Sequence, residues 1–174
     1  MTHKKFYQLI AGAGVDVVGM LLALLKQTDA RYCVVGGLAV NAYAEPVVSL
    51  DLDLIVAADK IDSLVAAARL RRLKVQRFEH SVNLSPPGSQ LRIQLQTGSR
   101  YQPFLARAAS RRVLGYAMKV ARIEDVLQGK LWAYADVTRR PSKRQKDLAD
   151  IMRLVETRPG LKKLLPTRMT ALMK

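Results

Sequence analysis

Apolar residues are grouped along the chain in short blocks, and each block predicts one element of secondary structure. Residues Asp16 to Thr28 are apolar on nearly every side, which predicts a helix inside the fold rather than on its surface. Arg31 to Val35 predicts a short buried strand that Gly36 and Gly37 end. Leu38 to Ala44 then predicts a short helix, because Glu45 and Pro46 follow it.

The rest of the chain predicts several strands followed by helices. A second strand is expected within Val47 to Val56, and Asp59 is expected to cap a helix that continues to about Arg72. Further strands are predicted around Val75 to Phe78, Ser81 to Leu84, Leu91 to Gln96 and Ala117 to Val120, and helical segments over Tyr101 to Ser110, Ile123 to about Arg139 and Lys143 to about Thr157, with Pro141 between the last two. This order predicts an α/β or α+β fold with a mixed sheet and a helical C-terminal part.

Composition narrows the functional classes. The 174 residues are enough for one domain with its own core. A single cysteine, Cys33, excludes a disulfide framework, and two histidines far apart, His3 and His80, disfavour a histidine-rich metal site. No apolar stretch approaches the roughly 20 residues that a bilayer requires, so we expect a cytoplasmic protein with no membrane partner.

The net charge of +15 favours a polyanionic partner such as nucleic acid or a nucleotide polyphosphate. Because aromatic residues make up only 6% of the chain, the basic residues predict contact with phosphate backbones rather than stacking on bases. Solvated helix faces are the alternative interpretation. The basic residues form three clusters: Arg69, Arg71, Arg72, Lys74 and Arg77; Arg107, Arg111 and Arg112; and Arg139, Arg140, Lys143, Arg144 and Lys146.

The sharpest local feature is the pair Asp51 and Asp53, which are separated by one residue in a predicted strand. Residues at this spacing point to the same side of a strand, with Cα atoms about 6–7 Å apart. Two carboxylates placed in this way can converge on a hard cation such as Mg²⁺. An exposed strand, or one aspartate that caps a turn, is the alternative.

Gly36 and Gly37 follow the first predicted strand and precede a short helix. Without a Cβ they let the backbone approach a ligand closely, and the helix that follows offers N–H groups to a phosphate. A tight turn that requires glycine for its backbone conformation is the alternative.

The stretches Val34 to Tyr43 and Ser49 to Val56 resemble the nucleotidyltransferase superfamily, whose pattern is a Gly-Gly or Gly-Ser turn, a short helix and Asp-x-Asp on the next strand. In particular they resemble AbiEii-type (type IV toxin–antitoxin) and other minimal nucleotidyltransferases. A second stretch is similar to the C-terminal helical signature of that family: Lys130 to Ala133, then Arg139 and Arg140, then Lys146 to Ile151.

The resemblance implies a nucleotidyltransferase-like mixed sheet in residues 1–122 and a helical part in residues 123–174 that closes over a nucleoside triphosphate within a single unit. It implies Asp51 and Asp53 as ligands of Mg²⁺ or Mn²⁺, Gly36 and Gly37 as the phosphate-facing turn, and Lys130, Lys146, Asp147 and Asp150 as residues that position the nucleotide. For Lys146 and Asp150, one helical turn apart, a surface ion pair is the alternative.

The chain departs from the family at the third carboxylate, because Gln94 occupies the position where an aspartate is expected. An amide can offer an oxygen to a cation but supplies no charge and accepts no proton. Glu79 is the nearest upstream acid, although its surroundings match the family pattern less well.

Three functional hypotheses follow. The first is a magnesium-dependent transferase that moves a nucleoside monophosphate from an NTP to a hydroxyl of RNA (such as tRNA), of a protein or of a small molecule. The second is an impaired relative that binds nucleotide or nucleic acid for regulation, and Gln94 is its main support. The third is a basic interaction module in which Asp51 and Asp53 are structural. The family resemblance also implies an antitoxin protein as a partner.

Overall fold

A seven-stranded sheet organises the computed structural model, which describes residues 16–171. His3 and the first part of the predicted 1–122 unit therefore lie outside the described residues. The strands are β1 Tyr32–Val35, β2 Asp51–Val56, β3 Lys74–Arg77, β4 Ser81–Ser85, β5 Arg92–Gln96, β6 Ala109–Val113 and β7 Tyr116–Val120. Their order across the sheet is β3-β4-β5-β2-β1-β7-β6.

The strand pairing makes the sheet mixed. Strand β2 runs antiparallel to β1 and parallel to β5, and β1 runs parallel to β7, whereas the outer pairs are antiparallel hairpins. The parallel register places Asp51 opposite Arg92 and Asp53 opposite Gln94. The predicted mixed α/β sheet is therefore confirmed.

Helices cover both faces of the sheet. The α-helices are α1 Val17–Gln27, α2 Gly36–Asn41, α3 Ile61–Leu70, α4 Ile123–Ala135, α5 Pro141–Thr157 and α6 Thr167–Thr170, and the 3₁₀ helices are Ala58–Lys60, Ser99–Arg107 and Pro159–Leu164. Helix α2 packs on β1, β2, α4 and α5, whereas α1 packs on α3. No described helix combines the length and apolarity needed to cross a membrane.

Successive side chains of β2 point to opposite faces of the sheet. Leu52 and Leu54 are fully buried, and Asp51 and Asp53 point to the opposite face. The strand pairing puts Arg77 of β3 in the same row across the sheet as Leu54, so both side chains point to the same face. On that face Arg77 donates a hydrogen bond to Asp62 of α3. Helices α1 and α3 therefore cover the Leu54 face, and α2, α4 and α5 lie on the face that carries the two aspartates.

Several predicted boundaries were wrong for identifiable reasons. Strand β2 does lie within the predicted stretch; it begins at Asp51, and Val47 and Val48 lie exposed in the loop before it. The Asp59 side chain caps no helix, because a 3₁₀ turn precedes α3. Pro141 is the first residue of α5, a position where its missing N–H costs no hydrogen bond.

The predicted helix from Tyr101 to Ser110 is instead a 3₁₀ helix that ends at Arg107, followed by edge strand β6. The sequence shows no alternation there, because Ser110, Arg111 and Arg112 on the sheet edge are all exposed. Helix α4 ends at Ala135 rather than near Arg139, in a turn where Asp136 Oδ1 accepts hydrogen bonds from Thr138.

Candidate functional site

Asp53 occupies the centre of the candidate site. Its carboxylate lies against the backbone of Gly36, at the point where β1 turns into α2. The side chain is half-buried and, among residues 16–171, forms no ion pair and accepts no hydrogen bond. A carboxylate placed in this way is held by packing and is available to a ligand.

Gly36 is required by both conformation and space. Its φ of +67° is a left-handed value that other residues rarely adopt. A Cβ at this position would lie 2.2 Å from Asp53 Oδ2, which is closer than any real contact. Gly37 differs, because a Cβ there would meet Ser49 Oγ at an ordinary 3.5 Å. Both glycines are the first residues of α2 rather than a separate turn.

The protonation of Asp53 depends on its surroundings. Burial raises the pKa of the Asp53 carboxyl to about 6, against the pull of Lys130, which lowers it. Asp51 raises this pKa further, and Arg139 and Lys146 lower it. A divalent cation beside Asp53 would relieve both the burial and the repulsion by Asp51.

Asp51 is more open and already has partners. Its Oδ1 lies 2.7 Å from Arg92 Nε, and its Oδ2 lies 3.8 Å from Lys143 Nζ. The Arg92 side chain is 67% exposed, so this ion pair contributes little to stability and can exchange for another partner. Asp51 therefore shares a strand face with Asp53, as predicted, but it starts from an ion-paired state.

Gln94, where the sequence departs from the nucleotidyltransferase pattern, lies in the sheet next to Asp53. Gln94 lies opposite Asp53 on the adjacent parallel strand, and its side chain is half-buried. Glu79, the alternative acid, has an 86% exposed side chain in the loop between β3 and β4. Within residues 16–171, no three His, Cys, Asp or Glu side chains come together in a metal-binding group.

A cleft of about 620 Å³ opens beside Asp53, within the range typical of small-molecule sites. Of the predicted site residues, Gly36, Asp53, Gln94, Lys130 and Asp147 line the cleft, whereas Gly37, Asp51, Lys146 and Asp150 do not. The other lining residues include His80, Ser81, Gln96, Arg100, Tyr101, Asp125, Trp132, Asp136 and Arg139.

Lys130 forms a buried ionic cluster that joins α4 to α5. Its ammonium lies 2.9 Å from Asp147 Oδ1 and 2.7 Å from Asp150 Oδ2, and its side chain is only 9% exposed. Burial alone would lower the pKa of Lys130, but Asp150 and Asp147 outweigh it and raise the pKa. Arg139 adds a second cation, 2.7 Å from Asp147 Oδ2.

The same cluster reaches the loop before Asp51. Arg153 contacts Asp150 Oδ1 at 2.8 Å and donates to Asn41 Oδ1 at 2.8 Å and to the carbonyl of Glu45. Asn41 in turn donates to the carbonyl of Val47 at 2.6 Å and accepts from its N–H. This chain of contacts links the C-terminal helices to the segment that leads into β2.

Lys146 does not form the alternative ion pair with Asp150, because Asp150 is paired with Lys130 and Arg153 instead. Lys146 is exposed on α5, yet it lies near enough to lower the pKa of Asp53. Its charge therefore acts on the site across solvent rather than inside the ionic cluster.

An aromatic wall on one side of the cleft was not predicted. The Arg100 guanidinium lies 4.6 Å from the ring centroid of Trp132 and 5.1 Å from that of Tyr101. Phe104 stacks against Trp132 behind them, at 5.9 Å between ring centroids. The only sequence signal was the single tryptophan two residues after Lys130, because the low aromatic content masks how closely these rings cluster.

Much of the basic surface is engaged within the protein. Arg107 makes two hydrogen bonds to the buried Asp125, at 2.9 and 2.8 Å. Arg111 lies over the Tyr43 ring, and Arg112 donates to the carbonyl of Gly115. Arg69, Arg71, Arg72 and Lys74 remain exposed at the edge of the fold.

The donor set fits a hard divalent cation. Asp51 and Asp53 offer carboxylate oxygens from one strand face, and Gln94 offers an amide oxygen beside Asp53. Mg²⁺ accepts such a small set of protein oxygens when substrate phosphates and waters complete the coordination.

Comparisons with known proteins identify the fold. Neither the scan against family models nor the search of curated proteins gives a match. The solution structure of the antibiotic-resistance factor ANT(2'')-Ia superposes with a TM-score of 0.59 at 12% identity, over 89% of this chain and 92% of that one. The chain has the nucleotidyltransferase fold.

Two other solved structures agree. The lincosamide antibiotic adenylyltransferase LnuA, with lincomycin bound, has a TM-score of 0.54 at 9% identity, over 79% of this chain and 95% of that one. A nucleotidyltransferase-like protein from Paracoccidioides brasiliensis has a TM-score of 0.53 at 16% identity, over 92% of this chain and 90% of that one. At these identities the likeness concerns the fold alone.

We predict that Gly36→Ala lowers the free energy of unfolding by at least about 2 kcal/mol, because alanine disfavours the left-handed backbone and its Cβ collides with Asp53. Gly37→Ala is the matched control: its Cβ fits, and alanine favours a helix by up to about 1 kcal/mol. Urea denaturation measures both variants. Equal stability of the two would contradict the packing of Gly36 on Asp53.

The raised pKa of Asp53 predicts a pH-dependent stability. Because the folded pKa of about 6 exceeds the ordinary 3.8, this carboxyl favours the folded state below 3.8 and loses that effect as pH rises through 6. In EDTA, wild type should therefore lose stability relative to Asp53→Asn between pH 4 and pH 7.5, by at most about 3 kcal/mol. If the free energies of unfolding of wild type and Asp53→Asn change equally with pH, Asp53 is not desolvated in the folded state.

Proposed function

We propose that the protein transfers a nucleoside monophosphate from a magnesium-bound NTP to the hydroxyl of an acceptor, which is RNA, a protein or a small molecule. The observation that carries the proposal is the Asp53 carboxylate, which is held against Gly36 without a counter-ion and faces a cleft of nucleotide size. Asp51 on the same strand face supplies the second carboxylate. The shared nucleotidyltransferase fold supports this assignment.

Asp51 and Asp53 would hold the magnesium ion, which supplies neutralisation of triphosphate charge. For Asp51 this requires release of Arg92, whose exposed guanidinium can then pair with a phosphate. Arg139 at the cleft wall and the exposed Lys146, both of which lower the pKa of Asp53, add positive charge to the site. The wall of Arg100 over Trp132 offers a planar surface on which a nucleobase can stack.

In the transfer step, the acceptor oxygen forms a bond to the α-phosphorus while the bond from that phosphorus to the pyrophosphate oxygen breaks. Catalysis of this kind consists mainly of positioning and charge stabilisation. Gln94, beside Asp53, cannot take the hydroxyl proton, so the proton leaves to solvent. The proposed enzyme is therefore slow unless the acceptor hydroxyl is unusually acidic or well positioned.

An impaired relative that binds nucleotide for regulation is the second candidate, and the specific observation in its favour is Gln94 in register with Asp53. Nucleotide binding needs the two aspartates and the cleft, whereas transfer also needs an activated acceptor. The resemblance to AbiEii-type proteins supports a further proposal, a toxin role with an antitoxin protein as partner. The exposed Arg69, Arg71, Arg72 and Lys74 support RNA as one acceptor.

We predict that the protein binds an NTP in the presence of Mg²⁺, and that Asp53→Asn and Asp51→Asn each weaken this binding at least about tenfold through loss of a cation ligand. Calorimetric titration with ATP, CTP, GTP and UTP, with and without EDTA, measures it. Asp59→Asn, an exposed change close by in the chain, is the control and should leave affinity unchanged.

Incubation with α-labelled NTPs, total RNA and cell extract then separates the two candidates. A labelled acceptor that depends on Asp53 supports transfer. Binding without any labelled product supports the regulatory candidate. If no NTP binds, both candidates are wrong and the aspartates are structural.

A further inference from the structure

The sheet face beyond Asp53 carries uncharged polar side chains where a third carboxylate is expected. Gln94 on β5 lies opposite Asp53, and Asn83 on β4 lies opposite Gln94. One step along the strands, Gln96 lies opposite Ser81. We call these four residues, Gln94, Asn83, Gln96 and Ser81, the amide floor. Three of them, Gln94, Gln96 and Ser81, line the cleft.

The amide floor has unused hydrogen-bonding capacity. Within residues 16–171, none of its four side chains makes a hydrogen bond. Asn83 Oδ1 is buried and has no partner. An unpaired buried acceptor costs about 1–3 kcal/mol, so native proteins retain one mainly where a ligand or bound water satisfies it. Because Gln94, Gln96 and Ser81 line the cleft and leave this capacity unused, the amide floor has the character of a binding surface, with the buried Asn83 behind it.

Charge restricts what this surface can bind. Two of the cleft carboxylates are already neutralised: Asp125 by Arg107, and Asp147 by Lys130 and Arg139. Asp136 is held in its own turn by hydrogen bonds from Thr138. The floor itself carries no carboxylate that could pair with an amine, and the neighbouring Asp53 is occupied by the cation in the proposed function.

A hydroxyl-bearing acceptor would find complementary groups. Each carboxamide offers two N–H donors and an oxygen acceptor, and each hydroxyl of a sugar ring both donates and accepts. Adjacent ring hydroxyls can therefore pair with Gln94 and Gln96 while the reacting hydroxyl faces the metal side of Asp53. Sites built from such polar pairs reject analogues that leave the protein groups unpaired.

We propose that the amide floor is the acceptor subsite and that it selects an uncharged sugar ring over an amine-bearing one. This inference rests on the proposed transfer activity. The ring can belong to a free saccharide or to the terminal ribose of an RNA, because both present the same neighbouring hydroxyls. Gln94, Gln96 and Ser81, which line the cleft, are then the residues that determine acceptor specificity.

The test compares acceptors with the wild-type protein, Mg²⁺ and an α-labelled NTP. The probes are raffinose as an uncharged trisaccharide, tobramycin as an amine-bearing one, and a short RNA with a free 3′ ribose. We expect labelling of raffinose or the RNA to exceed that of tobramycin at least about tenfold. Labelling of the RNA should fall steeply with salt, whereas labelling of raffinose should not, which separates the two sources.

Variants that add a negative charge test whether the acceptor preference comes from the amide floor. Gln96→Glu keeps the side-chain size and adds a carboxylate to the cleft, so it should raise the KM for the uncharged acceptor about tenfold and lower the KM for tobramycin. The Kd for the NTP should change much less than the acceptor KM, because Gln96 is not among the residues proposed to hold the cation or the phosphates. Gln27→Glu, on the far face of the fold, is the matched control, and thermal melting confirms folding.

Each outcome is decisive. Preferential labelling of tobramycin, labelling of no sugar hydroxyl, or a Gln96→Glu variant that leaves every acceptor KM unchanged would overturn the amide floor as acceptor subsite. Loss of NTP binding in the wild-type protein is a different result, because it would overturn the proposed transfer activity itself.

Discussion

A single carboxylate without a counter-ion, pressed against a glycine, is the constraint on which the rest of this structure depends. Asp53 can lie where it does only because Gly36 has no Cβ and adopts a left-handed backbone. Burial and Asp51 make its negative charge unfavourable, as its raised pKa shows, and the nearby Lys130 compensates only in part. The folded chain therefore retains an unsatisfied charge that a cation would stabilise, and such sites are typical of binding and catalysis.

The positive charges around Asp53 are held by the C-terminal helices. Lys130 is almost fully buried and remains charged because Asp147 and Asp150 flank it. Removal of one partner from such a buried cluster costs about 3–5 kcal/mol, so α4 and α5 are fixed relative to each other. Arg153 extends the cluster to Asn41 and thereby to the loop before β2. Helix packing and the position of the two aspartates are thus parts of one network.

The sequence predicted the mixed sheet and the two aspartates on one strand face, because both follow from local periodicity. It also predicted the unusual Gln94, whose register beside Asp53 the sheet then supplied. Edge strand β6 could not be predicted, because its exposed Arg111 and Arg112 leave no apolar alternation. The partners of Lys130 and the stacking of Arg100 on Trp132 join residues distant in the chain, and no local pattern encodes such contacts.

In the proposed function, Asp51 and Asp53 share one cation with a bound triphosphate. Its most direct test is a crystal of the wild-type protein with Mn²⁺ and a non-hydrolysable NTP, in which anomalous scattering locates the metal. We expect a manganese peak within about 2.5 Å of oxygens from both aspartates, with phosphate oxygens completing its shell and Arg92 displaced from Asp51. A triphosphate bound elsewhere, or a peak that contacts neither carboxylate while Arg92 still holds Asp51, would contradict it.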